Sequence, residues 1–203
     1  MFTGIVADLG TVEQVDRRPE AARLTIVGDL LTGVAPGDSV AVNGVCLTAV
    51  EVGAARMTTD VMAETLDRSA LADLAPGDRV NLELPVTPTS LLGGHMVQGH
   101  VDGVGTVVAR RPGDGWELVE VAVPDTLTRY VVEKGSISLD GISLTVVSIT
   151  PDRLSVSLIP ETLRRTTLGF RAVGDRVNLE VDVLAKYVEK LLAAGADTQV
   201  PRP

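Results

Sequence analysis

Chemistry in this chain has few places to reside. There are two histidines, His95 and His100, and a single cysteine, Cys46. Together they show no dedicated zinc spacing, so no metal site is expected. There is no phosphate-cradling loop and no nucleophile elbow. Gly103-Val104-Gly105 lacks the third glycine and the helix of a dinucleotide fingerprint. No cofactor is therefore expected. What remains is proton transfer and hydrogen bonding. A histidine ionises near neutrality and suits a proton relay. Hydroxyls such as those of Ser143 and Thr145 can steady a developing anion.

These residues fall at matching places in a duplicated pattern. Gly77-Asp78-Arg79-Val80-Asn81-Leu82-Glu83 returns unchanged as Gly174-Asp175-Arg176-Val177-Asn178-Leu179-Glu180. Glu64-Thr65-Leu66 returns as Glu161-Thr162-Leu163, and Asn43-Gly44-Val45-Cys46-Leu47-Thr48 as Asp140-Gly141-Ile142-Ser143-Leu144-Thr145. The openings align Met1 with Met96, Gly4 with Gly99 and Gly10-Thr11-Val12 with Gly105-Thr106-Val107. The duplicated unit is about a hundred residues, a usual domain size. Residues 1–95 and 96–182 are read as two domains, followed by a helix at 183–194 and a disordered tail at 195–203.

The copies differ where polar chemistry could sit. Ile5 aligns with His100, Asn43 with Asp140, Cys46 with Ser143 and Pro36 with Lys134. Duplication for stability alone gives no reason to gather His, Lys, Asp and Ser in one copy. Taken singly, each has a plainer explanation: a structural histidine, a small buried thiol, an ordinary strand threonine at Thr48 or Thr145.

The elements that must position them are strands. Ser39–Val42, Leu47–Val50, Arg56–Val61 and Val80–Leu84 are short and rich in alternating or β-branched residues, with Gly, Pro, Asn and Asp between them. Ile137–Leu139, Leu144–Val147 and Leu154–Ile159 repeat the pattern. Such spacing predicts small antiparallel barrels, which leave no free edge. Helices are expected at Pro124–Lys134, at Leu66–Leu74 and at Val183–Ala194. In the last, Leu184, Tyr187, Val188, Leu191 and Leu192 form an apolar stripe opposite Lys186, Glu189 and Lys190. That stripe must be covered by its own barrel or by identical helices of other subunits.

Composition narrows the function classes. A net charge of -9 opposes phosphate backbones and acidic membrane surfaces, so neither nucleic acid nor membrane is an expected partner. No signal peptide or membrane-spanning run is read, and one cysteine fits a reducing compartment, so a cytoplasmic location is expected. Aromatics are 2% of the chain, so a flat ligand would be held by aliphatic walls and hydrogen bonds.

Met1-Phe2-Thr3-Gly4-Ile5-Val6, Asn43–Thr48, Gly94-His95-Met96-Val97-Gln98-Gly99-His100-Val101, Asp140–Thr145 and Ile159-Pro160-Glu161-Thr162-Leu163 resemble the riboflavin synthases over about residues 1–194. The resemblance implies an all-β fold of two tandem six-stranded antiparallel Greek-key barrels and a C-terminal helix that trimerises the chain. Each barrel would bind one 6,7-dimethyl-8-ribityllumazine. A four-carbon unit would pass between the two, giving riboflavin and 5-amino-6-ribitylaminouracil without cofactor or metal. Lumazine synthase is its candidate protein partner. In the first barrel the implied contacts are Gly4, Ile5, Val6, Cys46, Leu47, Thr48, Asp60, Val61, Met62, Ala63, Glu64 and Thr65. In the second they are Gly99, His100, Val101, Lys134, Ser143, Leu144, Thr145, Ser157, Leu158, Ile159, Pro160, Glu161 and Thr162. Phe2 and Thr3 are expected to line the site. His100, Ser143 and Thr145 are the implied catalytic residues, assisted by Cys46, Asp140 and Asp182.

Two other readings compete. A non-catalytic lumazine- or flavin-binding protein of the same fold would not need polar groups in both pockets. A flavin-barrel oxidoreductase module would need a nucleotide-binding domain, which this sequence lacks.

Overall fold

A computed structural model describes residues 1–196. Two antiparallel barrels follow one another. The first is built from β1 (Asp8–Arg18), β2 (Ala21–Val27), β3 (Ser39–Val42), β4 (Val45–Thr48), β5 (Glu51–Gly53), β6 (Arg56–Met62) and β7 (Arg79–Glu83). Its strands lie in the order β4-β3-β7-β1-β2-β6-β5. The edges β4 and β5 are parts of one run, interrupted only at Ala49 and Val50, so the chain itself joins them. The Val50 N–H donates to Thr58 O at 2.8 Å, which continues the curl onto β6. Seven strands thus arise where six were expected, because one strand is broken in two.

The second unit contains β8 (Gly103–Pro112), β9 (Glu117–Ala122), β10 (Ser136–Leu139), β11 (Ile142–Ile149), β12 (Arg153–Leu158) and β13 (Arg176–Val181). Here the corresponding strand β11 is unbroken and the barrel closes in the order β10-β11-β12-β9-β8-β13. Each barrel has its own core: Leu24, Ile26, Val40, Met57, Val80 and Leu82 in the first, and Val121, Leu139, Leu154, Val156, Val177 and Leu179 in the second. These residues are the inward half of the strand alternation.

Most positions of the repeated heptapeptide have a structural task. Gly77 and Gly174 turn with φ of 97° and 100°, a region open to glycine. The carboxylates of Asp78 and Asp175 accept the N–H groups of Ala75 and Ala172. Val80, Leu82, Val177 and Leu179 fill the cores. Asn81 and Asn178 reach across between barrels. The Asn81 amide donates to Asp140 O and accepts from Thr167 N–H, both at 2.8 Å. The Asn178 amide donates to Asn43 O at 2.8 Å and accepts from Ala70 N–H at 2.7 Å. This reciprocal pattern is a twofold relation between the barrels. Gly44 and Gly141 meet on it, and a Cβ on Gly44 would lie 2.5 Å from Gly141 N.

Asn178→Ala strands a buried carbonyl and a buried N–H at this seam. Urea unfolding is expected to show about 2–4 kcal/mol less stability, because buried groups left unpaired lose the full desolvation cost.

The helices are shorter than the sequence pattern predicts. The expected helix at Pro124–Lys134 is reduced to α2 (Asp125–Thr128). The N–H groups of Leu127 and Val131 bond three residues back, to Pro124 and Thr128, and Lys134 turns left-handed at φ 65°. The expected helix at Leu66–Leu74 starts earlier, as α1 (Ala63–Arg68), and breaks where Ser69 Oγ donates to Thr65 O; a 3-10 turn follows at Ala70–Asp73. The equivalent helix in the second unit is α3 (Pro160–Arg165). The last helix, α4, runs Val183–Ala196, two residues beyond its expected end, so Gly195 and Ala196 are helical; residues 197–203 of the expected tail lie outside the described residues. Among the described residues no helix is long and apolar enough to cross a membrane.

Candidate functional site

The opening segment of each repeat crosses to the other barrel. Phe2 and Val97 form an antiparallel bridge at the crossing. Beyond it, Gly4 O accepts the N–H of Ser143 at 2.8 Å, and Gly99 O accepts the N–H of Cys46 at 2.9 Å. Val6 joins the core of the second barrel, while Val101 packs on the core of the first. The expected grouping is therefore corrected. Gly4, Ile5 and Val6 sit with Ser143, Leu144 and Thr145 of the second barrel. Gly99, His100 and Val101 sit with Cys46, Leu47 and Thr48 of the first. Sequence order hides this, because it assigns each opening to the barrel that follows it.

Two carboxylates from the repeated heptapeptide hold the crossing. Glu83 accepts from the N–H groups of Thr3 (2.6 Å) and Gly4 (3.0 Å) and from the Thr3 hydroxyl (2.7 Å). Glu180 accepts from Gln98 (2.6 Å), Gly99 (2.9 Å) and His100 (3.0 Å). Burial pushes both carboxyls up from the usual range, and the donated N–H groups pull back toward the charged form. The exact recurrence of Glu83 and Glu180 was the available signal for them.

Around the first barrel's rim, β4 carries Cys46 half-buried and Thr48 exposed, and β4 packs beside β6. β6 ends with Asp60, Val61 and Met62, and α1 begins with Ala63, Glu64 and Thr65. Asp60 is paired with Arg23 at 2.7 Å, whose hydrogen bond holds its carboxyl below the usual range. Glu64 pairs with Arg68 on the surface. Met62 is exposed, as are Ile5, Val50, Val147 and Ile159, giving both rims aliphatic walls. His100 is exposed above the first rim.

Around the second rim, Thr145 is exposed on β11 and pairs with Ser136. Ser157 is exposed on β12, followed by exposed Ile159, Pro160 and Glu161 and half-buried Thr162. Leu47, Val61 and Leu158 point into the cores and offer only backbone to a ligand at the rims.

Four expected residues have more specific places. Phe2 is fully buried against Ala41, Val97 and Cys46, so it supports the first rim from beneath. Lys134 corresponds to Gly37 and not Pro36: the Lys134 N–H bonds Val146 O as the Gly37 N–H bonds Ala49 O. The left-handed turn that Gly37 makes at φ 95° is thus made by an exposed lysine at φ 65°, a strained choice for a residue with a side chain. Asp140 is fully buried at the seam, accepting from Asn178 N–H at 2.8 Å and from Arg171 at 3.0 Å. Burial raises its carboxyl pKa and Arg171 opposes that rise. Its surroundings make it a structural acid, like Asn43, whose side chain accepts the Asn81 N–H. Asp182 caps α4 by accepting the Leu184 N–H at 3.0 Å, and its charge faces His95.

His95 is the residue the sequence pattern passed over. It is buried at 8% exposure, with Nδ1 2.7 Å from the Ser143 hydroxyl. Burial lowers its pKa, against the pull of Asp182. It falls just before the aligned openings, where Met96 meets Met1, so comparison of the repeats did not single it out. Among the described residues no group of three His, Cys, Asp or Glu side chains could hold a metal ion.

Comparison with known proteins gives the same outline. The lumazine binding domain matches residues 3–85 and again 98–182. Riboflavin synthase of Mycobacterium tuberculosis is 57% identical over 95% of this chain and 98% of its own length. Those of Actinobacillus pleuropneumoniae and Bacillus subtilis are 42% and 39% identical, each over 95% of this chain and 90% of their own. A solved structure of LumP complexed with riboflavin superposes with a TM-score of 0.84 at 27% identity, covering 89% of this chain and 99% of that one. Another, complexed with 6,7-dimethyl-8-(1'-D-ribityl) lumazine, gives 0.81 at 26%. With two copies of the domain and full-length relatives of this similarity, the chain belongs to the lumazine-binding family of the riboflavin synthases.

Proposed function

We propose that this protein converts two molecules of 6,7-dimethyl-8-ribityllumazine into riboflavin and 5-amino-6-ribitylaminouracil. The observation that carries the reading is the pair of equivalent rims with different polar linings. At the first, Cys46 is bonded to Gly99, the neighbour of His100, and at the second Ser143 lies against His95. Two identical substrates must act in opposite roles, and unlike pockets let them do so. Holding both ligands in reach removes association entropy, worth about 7–11 kcal/mol of barrier. His100, exposed at the first rim, suits the transfer of a methyl proton, with the Thr48 hydroxyl on the same rim and the Thr145 hydroxyl on the other. The relatives reinforce a catalytic reading: full-length enzymes match at 39–57% identity and LumP at 26–27%.

Purified protein given the lumazine in the presence of a chelator is expected to produce riboflavin, read by its absorbance. Bound lumazine without product would make it a binding protein. Activity that returns only with zinc or a nicotinamide would end the cofactor-free reading.

The assembly is proposed to be a trimer, working in the cytoplasm, with lumazine synthase as candidate partner. α4 docks on its own chain through polar contacts: Lys186 with Asp102 at 2.5 Å, and Glu189 with Arg129 and the Tyr130 hydroxyl. Its apolar stripe is left uncovered, with Leu191 72% and Leu192 70% exposed. A cleft of about 510 Å³ lined by Leu184, Val188, Leu192, Tyr130 and Val132 lies beside it. Such a patch calls for a like partner. Sedimentation is expected to give a trimer for the whole chain and monomers of much reduced activity after deletion from Val183. A fully active full-length monomer would refute the proposal.

A further inference from the structure

Ser143 is fixed at both ends. Its N–H donates to Gly4 O at 2.8 Å, and its hydroxyl lies 2.7 Å from His95 Nδ1. His95 is fixed in turn by its own N–H, which donates to Thr3 O at 3.1 Å. Among the described residues the other ring nitrogen, Nε2, is buried without a hydrogen-bond partner. A neutral imidazole carries one proton, on either nitrogen. Placed on Nε2, it would be a buried N–H with no acceptor, and such orphaned donors are rarer than under-satisfied acceptors. Placed on Nδ1, it is donated to the Ser143 oxygen. The hydroxyl proton of Ser143 then cannot point at His95 and is released to another acceptor.

We propose that His95 is a positioning residue that holds the Nδ1–H tautomer and so turns the Ser143 hydroxyl into a committed hydrogen-bond donor toward a ligand at the second rim. The acceptor it fits is a carbonyl oxygen or ring nitrogen of a flat heterocycle, one that gains negative charge when a proton leaves the ring system. An oxygen that already accepts a hydrogen bond donates its own proton more strongly. The first rim has no such device. Its counterpart, Cys46, is a weak donor. The acid facing the imidazole is Asp182, which favours a proton on the ring while burial keeps the ring neutral. This proposal rests on the lumazine reading for the identity of the ligand, but not for the tautomer.

The chain has two histidines, so ¹⁵N spectra of labelled protein resolve His95 directly. The parent is expected to show a protonated Nδ1 and a bare Nε2 at neutral pH. In Ser143→Ala the His95 Nδ1 proton, deprived of its acceptor, is expected to exchange with water faster or to move to Nε2. A parent with its proton on Nε2 would overturn the proposal whether or not lumazine is the substrate. The second measurement is the deprotonation of bound lumazine, followed by its absorbance against pH. His95→Leu is expected to weaken binding of the deprotonated ligand about tenfold relative to the neutral one, a rise of about one unit in the bound ligand's pKa. His95→Asn, which can place an amide N–H near Nδ1, is expected to recover part of this. A merely structural role would lower affinity for both forms alike, and an unchanged titration in His95→Leu overturns the proposal. If the parent binds no lumazine, the functional reading fails while the tautomer still stands or falls by its spectrum.

Discussion

Chains carrying Thr48→Arg and chains carrying Thr145→Arg, each inactive alone, are expected to regain activity when mixed and allowed to exchange subunits. Both threonines are exposed on their strands, so arginine obstructs one rim without disturbing a core. The expectation rests on what fills the space between the rims of one chain. From Cys46 on β4 to Ser143 on β11, the chain places Gly99, the Phe2–Val97 bridge and Gly4, all closely packed. A Cβ added to Gly99 would lie 2.6 Å from Cys46 Cβ, and one on Gly4 2.6 Å from Ser143 Cβ. With these contacts between the rims, two heterocycles are not expected to meet there. We therefore expect the donor and acceptor molecules to meet between the first barrel of one chain and the second barrel of its neighbour. In randomly mixed rings, an intact first rim faces an intact second rim at about a quarter of the interfaces. The measurement is riboflavin formation after exchange, with hybrid trimers verified by mass. No recovery in verified hybrids would place the reaction within one chain.

This arrangement also revises what the sequence suggests about the partners. Read along the chain, His100 groups with Ser143, since both belong to the second repeat. In space His100 is carried to the first barrel, because Gly99 beside it bonds Cys46. The sequence reading of the barrels themselves was sound, since periodicity of two and turn residues are local signals. The duplication was legible for the same reason. Which barrel receives each opening segment depends on long-range bonds from Glu83 and Glu180, and no local pattern encodes them. Polar differences between repeats were informative at Cys46 and Ser143 and less so at Asp140. There the acid answers Arg171, which aligns with Leu74 in the first repeat, and the pair belongs to the seam. His95 escaped because it lies just outside the repeated unit. The helix stripe of α4 was legible, but its uncovered state was not, because amphipathicity tells that a face is to be buried and not by what.

Gly4→Ala and Gly99→Ala separate the crossed arrangement from the sequential one by their opposite effects on the two pockets. Both glycines have positive φ, 76° and 81°, and both touch a rim strand through their own backbone. A methyl group at either must push that strand away or break the bond between them, since the blocking atoms include main-chain nitrogen at 2.8 Å. In the crossed arrangement, Gly99→Ala displaces Cys46 and damages the first pocket, although Gly99 belongs to the second repeat. Gly4→Ala displaces Ser143 and damages the second pocket, although it is near the start of the chain. Cys46, the only cysteine, reports on the first pocket without added labels. In the parent, saturating lumazine is expected to slow alkylation of Cys46 at least tenfold. Gly4→Ala is expected to retain that protection while riboflavin formation falls by about two orders of magnitude, as misplacement near reacting groups does. Gly99→Ala is expected to lose both protection and activity while Gly4–Ser143 contacts persist. Protection lost in Gly4→Ala and kept in Gly99→Ala would restore the sequential arrangement, with each opening segment serving the barrel that follows it.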